Sequence, residues 1–389
     1  MRIGILLSGR YPTEKAYGIT TNSTVKCLSD MGHTVYVVGL HSSYSEDIPT
    51  VENFTILQYK ETGFTKFLKS RAYAGDGILS QANWWIYWRI LAVLNKSMLS
   101  KLDLDLIWIR DPQMMRFATN VQRMILEIHQ NFDLKKLTRR IITSSKRKVV
   151  IAPISQSLLK KFKGSKLEDF TVFSPMGINL EDVSDDEEAI GHINLLLNAI
   201  RNQARPLKVG YVGKFYPNGY SKGIEDILGL MSIRSTKNIP VEISLTGGTQ
   251  GEIELVLEHI RASNLDQTHL HLNPHVPHKR ALEAMRNLDV IVLPSPNSDN
   301  YMGFPLKCLE ALATGKIVVV SRTKMYEDVF NQQFQPYWYS PGDSDSLFNS
   351  IEEAISDPKL RSRIIEGLDF TKGFTWMNRA GRLMNEIID

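Results

Sequence analysis

The chain has 389 residues, 43% of them hydrophobic and 23% charged, with a net charge of +4. That length is too great for one ordinary core and favours two or three domains, and the composition is that of a globular protein with a sizeable interior. No apolar run approaches the roughly 20 residues that span a bilayer, and the two cysteines, Cys27 and Cys308, have neither CxxC spacing nor a companion His cluster, which excludes a disulfide frame and a zinc site and fits a reduced, cytoplasmic setting.

In chain order, the apolar run Ile3–Leu7 is shorter than the ~7–15 residues of a secretory signal and predicts a buried strand. Further strands are expected at Thr34–Gly39, Phe54–Tyr59, Leu106–Ile109, Met124–Ile128, Val149–Ile151 and Thr171–Phe173, with helices near 19–31, 81–100, 113–120 and 155–163. Most of these strands lack polar alternation, as strands buried on both faces do. After Pro175 and Gly177 comes an acidic stretch that includes Glu181, Asp182 and Glu187, and the same grammar then restarts. Strands are expected at Leu207–Val212, Val241–Thr246, Leu270–Leu272, Val290–Leu293 and Ile317–Val320, and helices near 223–232, 251–262, 278–286, 305–313 and 344–356. Alternation of strand and helix predicts an α/β protein with parallel sheets. The domain limits are 1–185 and 206–370, followed by a terminal amphipathic helix within 371–389.

The net charge hides an asymmetry. Residues 1–180 hold 25 Lys/Arg and 14 Asp/Glu, a balance of +11, whereas residues 181–389 balance at −7. Basic clusters lie at Lys66, Lys69 and Arg71, at Lys135, Lys136, Arg139 and Arg140, at Lys146–Lys148, and at Lys160, Lys161 and Lys163. They are either solvated helix faces or a surface that meets an anionic membrane or an acidic glycan. No nucleic-acid motif accompanies them.

Parallel sheets bind ligands beyond the carboxyl ends of their strands. Beyond the first strand, SGRYPTEKAYGITTN is a glycine-bearing loop leading to a helix capped by Thr20 or Thr21. It is either an ordinary turn or an anion site, and it is not the GxGxxG fingerprint. MILEIHQN sets Glu127 and His129 at a strand end, where His129 is either structural or a hydrogen-bond donor in a cleft. Arg110 and Asp111 end LIWIRDP, with a mutual ion pair as the plain account. In the second half, Gly213-Lys214 and Lys222-Gly223 flank a loop after a strand, a pattern suited to a diphosphate. ISLTGGTQG repeats the arrangement at Gly247-Gly248. In LPSPNSDNYMGFPLKCLEALATG a helix begins about Pro305, with Lys307 and Glu310 on its first turns. Glu310 is suited to a ribose diol, or to the helix dipole alone. The aromatic segment 83–99 is either a core helix or an interfacial face that meets lipid.

Together EIHQ, IAPISQSLLKKF, SPMGIN, VGKF…SKG, GFPLKCLEALATG and FTWMNRA resemble the retaining glycosyltransferases of family 4, over nearly the whole chain. The resemblance implies a GT-B fold, two Rossmann-like domains with parallel sheets facing across a cleft, the acceptor on the first domain and the nucleotide-sugar donor on the second. It implies catalytic roles for His129, Lys214 and Lys222, and a diphosphate bound by the two lysines. It places Gly18, Gly213, Gly247, Gly303, Phe304, Pro305 and Leu306 around the donor, with Glu310 on the ribose. Trp376 would open a final helix that crosses back to the first domain. The family's motif is Glu-x7-Glu, and the first glutamate is here Met302. The expected activity is transfer from a UDP- or GDP-sugar to a glycan or lipid-linked acceptor, in polysaccharide synthesis at the inner membrane face, without cofactor or obligatory metal. A nucleotide-sugar hydrolase or epimerase, and a non-catalytic binding subunit, are the alternatives.

Overall fold

The computed structural model describes residues 1–13, 16–45, 48–73, 78–117, 121–142, 147–183, 186–202, 205–233, 240–296, 304–330 and 334–388. The chain forms two compact units, Met1–Pro175 with Trp376–Asp389, and Met176–Thr375. The boundary at 175 precedes the expected limit at 185, and the second unit closes at Thr375 rather than 370. The span between the expected domain limits is helical over Asp186–Asn202 and buries Ala189, Ile193 and Leu196 in the second core.

The first unit has strands β1 (Arg2–Arg10), β2 (Thr34–Leu40), β3 (Phe54–Gln58), β4 (Leu106–Ile109), β5 (Arg123–Ile128) and β6 (Lys148–Pro153). They pair in parallel in the order β3-β2-β1-β4-β5-β6. The central strands are apolar throughout because helices cover both faces. Helices are α1 (Ala16–Asp30), α2 (Gly63–Tyr73), α3 (Ile78–Ser100), α4 (Leu134–Ile142) and α5 (Gln156–Leu159). The expected strand at 171–173 is reduced to one bridge, Thr171 to Ile151. Thr20 and Thr21 do not cap α1; they lie inside it, and their hydroxyls donate to the Tyr17 carbonyl. The helix expected near 113–120 is a short 3-10 turn, Pro112–Phe117.

The second unit repeats the plan with β7 (Leu207–Val212), β8 (Val241–Gly248), β9 (Leu270–Pro274), β10 (Val290–Leu293), β11 (Ile317–Ser321) and β12 (Tyr337–Tyr339). Its order is β12-β11-β10-β7-β8-β9, all parallel. Its helices are α6 (Leu180–Val183), α7 (Asp186–Asn202), α8 (Ile224–Ile233), α9 (Gln250–Ala262), α10 (His278–Arg286), α11 (Leu306–Ala313), α12 (Lys324–Phe330), α13 (Ser344–Ser356) and α14 (Leu360–Lys372). The last helix, α15 (Trp376–Ile388), belongs to the first unit, where Leu383, Met384 and Ile387 join the core. In each unit the strand order reverses between two neighbours, β1 and β4 in the first and β7 and β10 in the second. Ligands of open α/β sheets bind outside the strand ends at such points.

Candidate functional site

In the second unit the switch point gathers several residues singled out from the sequence. The end of β8 touches the turn after β7 directly: a Cβ at Gly247 would lie 2.5 Å from the Gly213 carbonyl oxygen, and Gly247 has φ +121°. Only glycine is at ease there, and the contact leaves bare backbone at the strand ends. A Cβ at Gly213 would meet the Lys307 side chain at 2.7 Å, which brings the start of α11 to the same place. Gly223 (φ +85°) opens α8 within ordinary contact of Pro294 and the Ser295 backbone nitrogen, after β10.

Charge gathers here as well. Burial holds Lys222 below its ordinary range, helped by the cation of Lys307. Lys214 is exposed and lies in the field of Glu252, so the cationic neighbour of Lys222 is Lys307. Pro305 is the N-cap of α11 rather than its first residue, and Leu306 begins the helix. Phe304 is buried and stacks on Phe374 at 6.3 Å. Gly303 and Met302 lie outside the described residues.

Glu310 does not stand alone on α11. Its Oε1 accepts from His278 Nε2 at 2.8 Å, and its Oε2 has no hydrogen bond among the described residues. Burial would raise the Glu310 pKa, but the His278 bond and Lys307 outweigh it and hold the carboxyl below its usual range. The same bond raises His278 above its usual value against the effect of burial. His278 was not legible as a site residue, because it follows β9 at a loop end with no motif around it.

In the first unit, the strand ends of β4 and β5 form a buried polar network. Glu127 Oε1 accepts from Trp108 Nε1 at 2.9 Å and pairs with Arg379 of α15 at 2.7 Å. Glu127 Oε2 meets His129 Nε2 at 2.5 Å. The His129 Nδ1 lies 3.1 Å from an Arg110 nitrogen. Arginine only donates, so Nδ1 accepts and the ring proton sits on Nε2, donated to the carboxylate. Burial, and then the Arg110 charge, lowers the His129 pKa to about 4, so the ring is neutral at pH 7. Burial opposes the charge of Glu127, yet Arg379, His129 and Arg110 hold it well below the carboxylate range. Both nitrogens of His129 are thus committed, and the ring is oriented rather than free to act as an acid.

Arg110 does not pair with Asp111. It binds Thr20 Oγ1 at 2.5 Å and the Tyr17 carbonyl at 3.3 Å on α1. Asp111 instead accepts from the Gln113 side chain at 2.7 Å. Gly18 sits within α1, where a Cβ would lie 2.1 Å from the Thr13 carbonyl, so only a residue without a side chain fits there. Beyond this network opens a cavity of about 620 Å³, walled by Arg110, Asp111 and His129, by Arg116, and by Lys136 and Arg140 of α4.

The second unit matches a known family: residues 197–368 fit the model of Glycosyl transferases group 1. These residues form a group 1 glycosyltransferase domain. The group 1 domain is accompanied by a whole-chain likeness in fold. A trehalose-6-phosphate structure from E. coli bound with UDP-2-fluoro glucose has a TM-score of 0.69 at 14% identity, over 100% of this chain and 99% of that one. The fold is GT-B. In sequence the matches are shorter. An uncharacterized glycosyltransferase of Methanocaldococcus jannaschii is 28% identical over 102 residues, 26% of this chain. The N,N'-diacetylbacillosaminyl-diphospho-undecaprenol alpha-1,3-N-acetylgalactosaminyltransferase of Campylobacter jejuni is 32% identical over 80 residues, 21% of this chain. The aligned stretches span only 25% and 20% of those two relatives. Among the described residues, no helix is long and apolar enough to cross a membrane.

Proposed function

We propose that the protein is a retaining glycosyltransferase that moves a sugar from a nucleoside-diphosphate sugar, bound by the second unit, to an acceptor bound by the first. The observation that carries this is the convergence of Gly213, Gly247, Lys222, Lys307 and Glu310 at one switch point, within the group 1 domain. The diphosphate lies on Lys222 and Lys307 and on the backbone N–H groups opening α8. A partly desolvated lysine and a helix N-terminus suit an oxyanion. The free oxygen of Glu310 accepts from a ribose hydroxyl, with His278 fixing the carboxylate's orientation.

The chemistry breaks the bond between the sugar C1 and the diphosphate oxygen and forms a bond from C1 to an acceptor oxygen on the same face. The acceptor proton ends on the departing diphosphate. The charge developing there is stabilised by the two lysines and backbone donors already in place. Lys214, at the rim, contributes long-range attraction to the donor. His129 is a positioning residue, its ring held between Glu127 and Arg110. No metal or cofactor takes part, so a chelator leaves the rate unchanged.

The test is incubation with a panel of labelled UDP- and GDP-sugars, with and without glycan and lipid-linked acceptors. The reading expects acceptor-dependent transfer with the donor's anomeric configuration retained. Release of free sugar at the same rate with or without acceptor would overturn it in favour of hydrolysis.

A further inference from the structure

The cavity of the first unit has a chemistry of its own. Arg116 lines it, and its Nη1 is buried without a hydrogen-bond partner. Burial lowers the Arg116 pKa, and the nearby cations Arg140 and Arg89 lower it further, with Asp111 the opposing charge. Lys136 and Arg140 sit one turn apart on α4 and face the same space. Of the acids around the cavity, Glu127 is already matched by Arg379, and Asp133 accepts from the Lys136 backbone N–H at the start of α4. Asp111 is bonded to Gln113, and burial raises its pKa. Among the described residues no carboxylate comes within 4 Å of Arg116 or Lys136 to form an ion pair. The site therefore holds a surplus of positive charge and a buried donor awaiting an acceptor, which an anion supplies.

One wall of the cavity is apolar, with Ile78, Trp84 and Trp85 among its lining residues. Helix α3 buries Tyr87, Trp88, Leu91 and Leu99 on one face. Its opposite face presents Ile78, Leu79, Trp85, Ile86 and Val93 to solvent, with Ile78 86%, Leu79 81% and Val93 74% exposed. At 100° per residue these fall on one stripe about 120° wide. Ile78 and Trp85 belong both to this stripe and to the cavity lining. On the neighbouring α2, Phe64 and Phe67 are also exposed. The two helices contain five Lys/Arg and no Asp/Glu. Exposed apolar area of this kind, with cations and no anions, marks a binding surface.

We propose that this cavity is the acceptor site and takes a phosphate-linked lipid, its phosphate on Arg116, Arg140 and Lys136 and its aliphatic chain along the outer stripe of α3. The inference rests on the glycosyl-transfer reading for the word acceptor alone; the binding of an anionic amphiphile stands or falls separately. A bulky polar head at the phosphate end then reaches the strand ends of β4 and β5, where Arg110 and His129 lie.

The test is calorimetry on the full chain with dodecyl phosphate below its micellar concentration, against octaethylene glycol monododecyl ether and inorganic pyrophosphate. The proposal expects dodecyl phosphate to bind at least ten-fold more tightly than either. Arg116→Gln should weaken it at least ten-fold, and the double change Leu79→Ser with Val93→Ser should weaken it without altering pyrophosphate binding. Equal affinity for the neutral ether overturns the phosphate site, and equal affinity for pyrophosphate overturns the lipid. Both comparisons need only the wild-type chain, so a variant that fails to fold does not decide the matter. UDP and GDP affinities measured alongside report on the donor site: failure there overturns the transferase reading and leaves this cavity's ligand unaffected.

Discussion

Arg379→Met should destabilise the first unit by about 3 kcal/mol, the lower end of the cost of breaking a buried ion pair. The pair is closed from solvent, with the Arg379 and Glu127 side chains 3% and 5% exposed and 2.7 Å apart. Removal of the guanidinium leaves Glu127 buried with two partial substitutes, Arg110 at 3.9 Å and the neutral His129 at 2.5 Å. Those substitutes, and the two Arg379 nitrogens that already lack partners, keep the loss from reaching the upper end of the range, about 5 kcal/mol. The assay is urea unfolding followed by tryptophan fluorescence, since Trp108 donates to Glu127 and reports the first unit. Two units require that the transitions be resolved separately. Pairing Arg379→Met with Glu127→Leu should cost clearly less than the sum of the single changes. A shift below about 1 kcal/mol for Arg379→Met would refute the claim that α15 holds the β5 carboxylate in place.

Other outcomes follow from the same contacts. The His129 pKa of about 4 lies below its unfolded value, so the stability it contributes is present above about pH 6.5 and is lost as pH falls toward 4; from pH 7 to 5 the first unit should lose about 2 kcal/mol, read by urea unfolding at each pH. His278 shifts the opposite way, so its contribution is present below the unfolded value and lost as pH rises through the folded one, and its ring NMR signals should titrate higher in the wild type than in Glu310→Gln. Gly247→Ala, with φ +121° and the Gly213 oxygen 2.5 Å away, should cost about 1–3 kcal/mol in the second unit and weaken nucleotide binding. Glu310→Gln should lose affinity for UDP or GDP even without an attached sugar; unchanged affinity would confine the carboxylate to orienting His278 and the helix.

The sheets were legible because strands such as Leu106–Ile109 and Val290–Leu293 are uniformly apolar and bounded by polar or glycine-bearing turns. Helix α2 escaped notice because its signal is mixed: it exposes Phe64 and Phe67 and buries Thr65, so its pattern does not divide polar from apolar. Helix α4 does divide them, burying Leu137 and Ile141, but its nine residues give the pattern little length. The strand expected at 171–173 had the right residue types but finds only one bridging partner, at the sheet edge beside β6. The Gly213, Gly247 and Glu310 positions carried motifs and could be read. The partners of Glu127 could not, since Arg379 lies 252 positions away in sequence. The same holds for His278 and Glu310, whose contact joins α10 to α11. Segment 83–99 left two readings open, core helix or lipid-facing helix, and α3 has both a buried face and an exposed apolar one. Of the basic clusters behind the charge asymmetry, Lys136 and Arg140 are the only members among the described residues that line the cavity, beside Arg116; Lys146 lies outside the described residues.

The central claim is that the second unit grips a nucleoside diphosphate through Lys222 beside Lys307. Titration calorimetry of UDP and GDP against the wild type and Lys222→Ala tests it most directly. The account predicts binding of at least one of the two nucleotides, weakened at least ten-fold by Lys222→Ala, with the circular dichroism spectrum unchanged. Binding of neither nucleotide to the wild type, or equal binding to both proteins, would contradict it.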